Sequence, residues 1–153
     1  MDEKLLPENI LKKAHISTGG EYSWHKEDFI EVIEAARSIG LASIGGNVQY
    51  IFPDGIYDLY WLTYDSKDWK PGEAWADYVD RSATEVIEGF MKLCSTTNFH
   101  DIAREERFAH KRVILEGEPN SNLWFINYFM SEASIPAFEN WKKMMNGHLK
   151  ASG

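Results

Sequence analysis

Residues 48–64 read VQYIFPDGIYDLYWLTY, and the predicted sheet is built on them. β-Branched and aromatic side chains, which are typical of strands, occur on both sides of residues 53–55, Pro-Asp-Gly. Proline suits the first position of a turn and glycine supplies a positive φ at its last, so the stretch predicts a β-hairpin with a three-residue loop. In that register Phe52 pairs with Ile56. Residues 45–46, both glycine, indicate a bulge or a close approach of backbone just before the hairpin.

Helical patterns flank the hairpin on both sides. Apolar side chains recur with helical spacing over residues 24–39 and 72–95. Ser23 is a suitable N-cap for the first helix, and a capping-box pattern that begins at Ser82 allows a break in the second. Residues 123–130 form a dense apolar run that fits a buried strand or a buried helix equally well.

These elements together predict an α+β fold, in which a small antiparallel sheet built on the 48–64 hairpin packs against several helices. The length of 153 residues fits one domain, and no repeat, low-complexity tract or long linker divides the chain. We expect residues 1–22 to form a loosely attached lead-in segment and residues 23–150 to form a single α+β domain.

The composition indicates a globular protein of a reducing compartment. Apolar residues make up 44% of the chain and aromatic residues 14%, which favours a substantial core over intrinsic disorder. The single cysteine, Cys94, excludes an intramolecular disulfide. No signal peptide is visible, and no run approaches the ~20 apolar residues of a membrane span. We therefore expect a cytoplasmic protein that does not act on a membrane.

Negative charge is concentrated in the first two thirds of the chain. The sequence has 24 acidic and 16 basic residues and a formal net charge of -8. Residues 1–97 hold 17 of the acidic and nine of the basic residues, which accounts for the whole surplus. Such a protein is repelled by nucleic acids and attracted to basic proteins, so a basic protein partner is expected and direct nucleic-acid binding is not. Solubility alone accounts for the same surplus.

None of the familiar active-site motifs occurs in the sequence. An H-E-x-x-H helix, a G-x-S-x-G elbow and a Walker loop are all missing. Cys94 falls on the apolar side of the predicted 72–95 helix, which favours an inert thiol over a nucleophile. We therefore predict no catalytic residue, no metal ligand and no cofactor.

Acidic and aromatic residues are mixed between positions 54 and 80, where seven of each occur. In one interpretation the aromatic side chains belong to the core and the acids are their solvated neighbours. In a second, tyrosine and tryptophan anchor a protein interface and the acids steer a basic partner. In a third, carboxylates and aromatic platforms serve sugar chemistry.

The features favour a binding protein, rather than an enzyme, that neutralises or regulates a basic protein such as a nuclease toxin. Antidote (immunity) proteins for such toxins are likewise small, acidic and cofactor-free. Two alternatives stay open: a small carboxylate-based hydrolase or carbohydrate-binding protein, and a nucleic-acid-mimic inhibitor carried by a mobile element. The predicted binding residues lie on the 24–39 helix and in the loop after the hairpin: Glu27, Asp28, Glu31, Glu34, Asp65, Asp68 and Trp69.

Overall fold

A computed structural model describes residues 1–117 and 119–152 of the chain. Within these residues the backbone forms seven strands and six α-helices. The strands are β1 (His15–Ile16), β2 (Tyr22–Trp24), β3 (Ala42–Gly45), β4 (Asn47–Phe52), β5 (Gly55–Thr63), β6 (Leu123–Ile126) and β7 (Tyr128–Met130). The helices are α1 (Glu8–Leu11), α2 (Lys26–Ser38), α3 (Trp75–Thr96), α4 (Phe99–Ala103), α5 (Arg112–Gly117) and α6 (Ile135–Ser152).

The strands form antiparallel sheets with helices packed against them, so the predicted α+β fold is confirmed. Five strands pair in the order β1-β2-β6-β4-β5, and β3 pairs with β7. Helix α2 contacts α3 and β6, and α3 also contacts β3 and β5. In the described ranges no helix combines the length and the apolar character that a bilayer crossing requires.

The hairpin forms, but its loop is one residue shorter than predicted. Strands β4 and β5 pair from Phe52 with Gly55 onward, which leaves only Pro53 and Asp54 in the loop. Gly55 does not have a positive φ. The predicted pairing of Phe52 with Ile56 is therefore wrong, because a two-residue turn led by proline closes the hairpin without a left-handed glycine.

One face of the five-stranded sheet forms the core with the helices. Trp24, Val48, Leu59 and Phe125 lie in register on that face, and none of them is exposed to solvent. Phe29 of α2 packs over this face, with its ring centroid 5.8 Å from that of Phe125. Each fully buried side chain of this size stabilises the fold by about 1.5–3 kcal/mol, so the hairpin and α2 hold each other in place.

The two long helices follow the predicted periodicity, but their predicted boundary signals are wrong. Helix α2 begins at Lys26, because Ser23 belongs to β2 and His25 takes the N-cap position. Helix α3 continues without a break through Ser82. The Ser82 hydroxyl is buried and accepts a hydrogen bond from the backbone N–H of Ser43, so it serves the packing of α3 on β3 instead of a cap.

The apolar run at residues 123–130 forms two strands with a bend between them, and the strands that pair with it are interrupted at the same place. Strands β6 and β7 lie on either side of Asn127, and β3 and β4 lie on either side of Gly46. A Cβ atom on Gly46 would collide with the carbonyl oxygen of Ile126, so glycine is required where the two backbones meet. The close backbone approach that the paired glycines predict is confirmed.

Residues 1–22 contribute to the same core. Leu6 and Ile10 are buried, and the indole N–H of Trp24 donates to the carbonyl oxygen of Ile10 at 3.0 Å. The carboxylate of Glu3 accepts a hydrogen bond from the backbone N–H of Phe129 at 3.0 Å. Buried contacts therefore connect this segment to β2 and β7.

Candidate functional site

An open cleft of about 400 Å³ lies at the bend of the sheet. Its walls come from the end of β3, the start of β4, the end of β5, the loop after β5 and the start of β7. Two of the predicted binding residues, Asp65 and Asp68, line this cleft, and none of the predicted acids of α2 does. Its lining includes Gly45, Tyr60, Asp65, Ser66, Asp68 and Tyr128.

The loop after β5 is tied to the sheet on both sides of Asp65. Tyr64 is buried, and its hydroxyl donates to the carbonyl oxygen of Ile126 at 2.5 Å. The hydroxyl of Ser66 donates to the carbonyl oxygen of Ser43 at 2.6 Å. These bonds fix the main chain at Asp65, so the fold itself determines where this carboxylate lies.

Two glycines let the Asp65 carboxylate approach the bend closely. Gly45 has a φ of 107°, in the region that favours glycine. A Cβ atom there would lie 2.5 Å from the Cα atom of Asp65 and 2.6 Å from its Oδ1 atom. Interaction with the backbone of Gly46 also acts on this carboxylate and favours its charged form. Asp65 therefore packs directly against the backbone of Gly45, with no side chain between them.

The charge of Asp65 is not compensated by the rest of the described chain. Burial raises the pKa of Asp65, and the interaction with the backbone of Gly46 opposes that shift without cancelling it. The residue is nevertheless exposed to solvent, and within residues 1–117 and 119–152 no lysine, arginine or histidine forms an ion pair with it. A carboxylate with a raised pKa in a cleft is typical of a functional site.

The other acidic groups near the cleft have partners. The carboxylate of Asp68 forms an ion pair with Lys142 at 3.1 Å. The carboxylate of Glu21 accepts a hydrogen bond from the hydroxyl of Tyr128 at 2.5 Å. Burial and this carboxylate raise the pKa of Tyr128, which therefore stays a neutral phenol and hydrogen-bond donor. Asp65 thus differs from its acidic neighbours in lacking a side-chain partner.

Residues 60–62 bulge out of β5 beside the cleft. Strand β5 pairs regularly with β4 up to Leu59 and resumes at Thr63. The side chain of Tyr60 is 75% exposed and that of Trp61 is 44% exposed, and such side chains are the usual anchors of protein interfaces. The predicted binding residues included neither, although the unbroken run of large apolar side chains at residues 59–62 interrupts the strand alternation and could have indicated the bulge.

The remaining aromatic residues of this region are divided between core and surface. Tyr64 and Tyr78 are buried, whereas Trp69 and Trp75 are half-buried. The indole N–H of Trp69 donates to the carbonyl oxygen of Glu73 at 2.9 Å, and its ring lies 6.5 Å from that of Trp75. Trp69, one of the predicted binding residues, therefore holds its own loop together.

Arg81 fastens this loop to α3. Its guanidinium group lies 2.7 Å from the carboxylate of Glu73 and 2.8 Å from that of Glu85. The same group donates to the carbonyl oxygen of Asp68 at 3.1 Å. Hydrogen bonding to Arg81 lowers the pKa of Glu73 to about 2. The loop that carries the cleft acids is thus held from its far end as well.

The predicted helix acids have cations nearby. These acids are Glu27, Asp28, Glu31 and Glu34. Lys13 lies 3.1 Å from Glu31 and 3.6 Å from Asp28, and Arg37 lies 3.6 Å from Glu34. In the described part of the chain only the first of the four makes no ion pair. Because exposed pairs of this kind are weak, the helix keeps a long-range negative field but presents little uncompensated charge at contact distance.

Metal and thiol chemistry have little support in the described residues. Among residues 1–117 and 119–152 no three histidine, cysteine, aspartate or glutamate side chains lie close enough to hold a metal ion. Cys94 is half-buried, and burial raises the pKa of its thiol, which disfavours the reactive thiolate. The Asp65 carboxyl group is therefore the main chemical group that the cleft presents.

Comparisons with known proteins do not assign a function. A scan against protein-family models gave no match, a search of the curated proteins gave none, and a search of the solved structures gave none. The geometry of the cleft is therefore the basis of the functional proposal.

Proposed function

We propose that this chain is a binding protein that receives a basic side chain of a protein partner at Asp65 and thereby neutralises or regulates that partner. The observation that carries the proposal is the Asp65 carboxylate, which is packed against Gly45 with a raised pKa and no ion pair from the described residues. A lysine or arginine of the partner would supply the missing positive charge and offset the desolvation of the carboxylate.

The cleft and the helix acids have different roles in this proposal. The loop residues Asp65 and Asp68 contact the partner, and the exposed ring of Tyr60 anchors it beside them. The acids of α2 contribute to the net charge of -8, which accelerates the approach of a basic molecule. A nuclease toxin is one basic partner of this kind. The lone Cys94 is consistent with action in the reducing cytoplasm.

The variant Asp65→Asn tests the proposal. Asparagine has nearly the same size and shape as aspartate and keeps a carbonyl oxygen that accepts hydrogen bonds, so the substitution removes charge and little else. The full chain is immobilised and exposed at low salt to proteins of its native host. Mass spectrometry identifies the basic proteins that it retains. Calorimetry then measures the affinity of each retained protein at several salt concentrations. We expect Asp65→Asn to bind about tenfold more weakly, with a shallower salt dependence.

The control variant is Glu106→Gln. Glu106 is exposed, makes no ion pair with another described residue and does not line the cleft, so its neutralisation should leave the affinity unchanged. Asp65→Asn should unfold at the same temperature as the wild type or a higher one, because a partly desolvated charge has been removed. Equal affinities of the two variants for the captured protein, or repeated recovery of the chain alone, would contradict the proposal.

A carbohydrate-binding protein or small hydrolase is the second candidate. The raised pKa of Asp65 in an open cleft beside Tyr60 and Tyr128 favours it, because glycosidases protonate their substrates with such an acid and sugars stack on aromatic rings. A titration with neutral oligosaccharides, followed by NMR, distinguishes the two. Saturable shifts at Asp65 and Tyr60, together with release of reducing ends that Asp65→Asn abolishes, would favour the second candidate.

A further inference from the structure

Strand β5 lies at one edge of the five-stranded sheet, and no described strand pairs with its outer side. Its neighbour in the sheet is β4. In the described chain the backbone of residues 56–59 makes no hydrogen bond outside this pairing. Backbone groups without a protein partner must face water, so this edge is open to a ligand.

The register determines which backbone groups point outward. The two-residue loop makes Phe52 and Gly55 the first hydrogen-bonded pair of the hairpin. Because hydrogen-bonded and non-hydrogen-bonded pairs alternate in an antiparallel ladder, Ile56 and Asp58 direct their N–H and C=O groups away from β4. Two donors and two acceptors are therefore spaced along the free edge as an added strand requires.

The charge along this edge favours a basic strand. Residues 54–65 include three acidic residues and no basic one. Asp54, in the turn, pairs with Lys111 at 3.1 Å, and Arg107 lies over the Trp61 ring at the other end, so Asp58 and Asp65 are the acids that lack an ion pair with a described residue. Asp58 is exposed and makes no ion pair with a described residue, and its carboxylate accepts a hydrogen bond from Gln49 at 2.7 Å, which fixes its position. A second copy of β5 would bring acidic side chains against each other, which disfavours pairing of this strand with itself.

We propose that β5 binds an extended basic segment of the partner as an additional strand. The proposal rests on the function proposed above and specifies how the partner is held: main-chain hydrogen bonds to Ile56 and Asp58 align the segment. The end of β5 lines the cleft at Tyr60 and Thr63, so a strand laid along β5 leads a basic side chain towards Asp65.

Peptides selected on the full chain from a random phage-displayed library are the probe. We expect the selected peptides to be basic, and we expect them to slow hydrogen exchange at the amides of Ile56 and Asp58, as measured by NMR. Proline at position 56 removes an outward N–H and no ladder bond, so Ile56→Pro should weaken peptide binding about tenfold or more. Ile56→Ala keeps the N–H and is the matched control, with affinity close to that of the wild type.

The outcomes separate the binding mode from the function. One result would overturn strand addition and leave the proposed function intact. In that result the basic peptides require Asp65, bind Ile56→Pro and Ile56→Ala with equal affinity, and do not protect the two amides from exchange. A library that yields no basic binder would also overturn strand addition, and the affinity of Asp65→Asn for the captured protein would then judge the function separately. Protection of the same amides in a dimer of the free chain would assign this edge to a second copy instead.

Discussion

Replacement of Gly45 by alanine tests the geometry that brings Asp65 to the bend. The new methyl group adds two costs to the folded state. A φ of 107° is strained for any residue with a Cβ, which costs about 1–2 kcal/mol. The methyl carbon would also lie 2.5 Å from the Cα atom of Asp65, which belongs to the backbone and cannot rotate away. Displacement of packed groups adds about 1–3 kcal/mol, so we expect a total loss near 3 kcal/mol.

Gly20→Ala is the matched control, because Gly20 has a φ of 84° and no atom lies within 4 Å of the position of its added Cβ. This variant has the strain without the collision, and we expect it to lose about 1 kcal/mol. The free energy of unfolding of both variants is measured by urea denaturation, with tryptophan fluorescence as the signal. The dependence of this free energy on urea concentration should be the same in both variants.

The position of Asp65 gives a second readout. In folded Gly45→Ala the displaced carboxylate is better solvated, so the pKa of Asp65 should fall towards its ordinary value in an NMR titration. Equal losses of unfolding free energy in the two glycine variants would show that Asp65 does not pack against the bend as described. An unchanged pKa of Asp65 in folded Gly45→Ala would show that the close approach does not cause the shift.

Two further predictions concern charge. The pKa of Glu73 is about 2 in the folded protein against an ordinary 4.5, so its contribution to stability is complete above about pH 4.5 and is lost as the pH falls towards 2. Urea midpoints measured between about pH 2 and 6 should therefore fall more steeply in the wild type than in Glu73→Gln, and parallel curves would refute the shift. Charge reversal at both Glu31 and Glu34 should slow association with the captured partner and reduce its salt dependence with little loss of stability, and unchanged stopped-flow kinetics would exclude these acids from steering.

The main elements of the fold could be predicted from the sequence because each has a local signature. An apolar stripe at helical spacing gave α2 and α3, and β-branched and aromatic residues around a turn gave the hairpin. The paired glycines at residues 45–46 indicated a close backbone approach, and the structure places them against β6. These signals depend on consecutive residues and on the intrinsic geometry of the chain.

The candidate site could be predicted only in part. The sequence predicted Asp65 and Asp68 as loop acids, but it ranked them after the acids of α2. It did not indicate Tyr60, because a bulge depends on how two strands pair. It could not assign residues 123–130 either. The part before Asn127 is a strand because it pairs with β4, and the part after Asn127 is a strand because it pairs with β3, and these partners are distant in sequence.

Local pattern thus fixed the class of fold, its principal helices and hairpin, and the surplus of negative charge. Folding in three dimensions determined which of those charges pair with a cation and which, Asp65 among them, do not. Lys13 reaches Glu31 from another element, and Lys142 reaches Asp68 across 74 positions of sequence, whereas no cation of the described chain reaches Asp65. Electrostatic energy depends on separation in space, and spacing along the chain does not specify it.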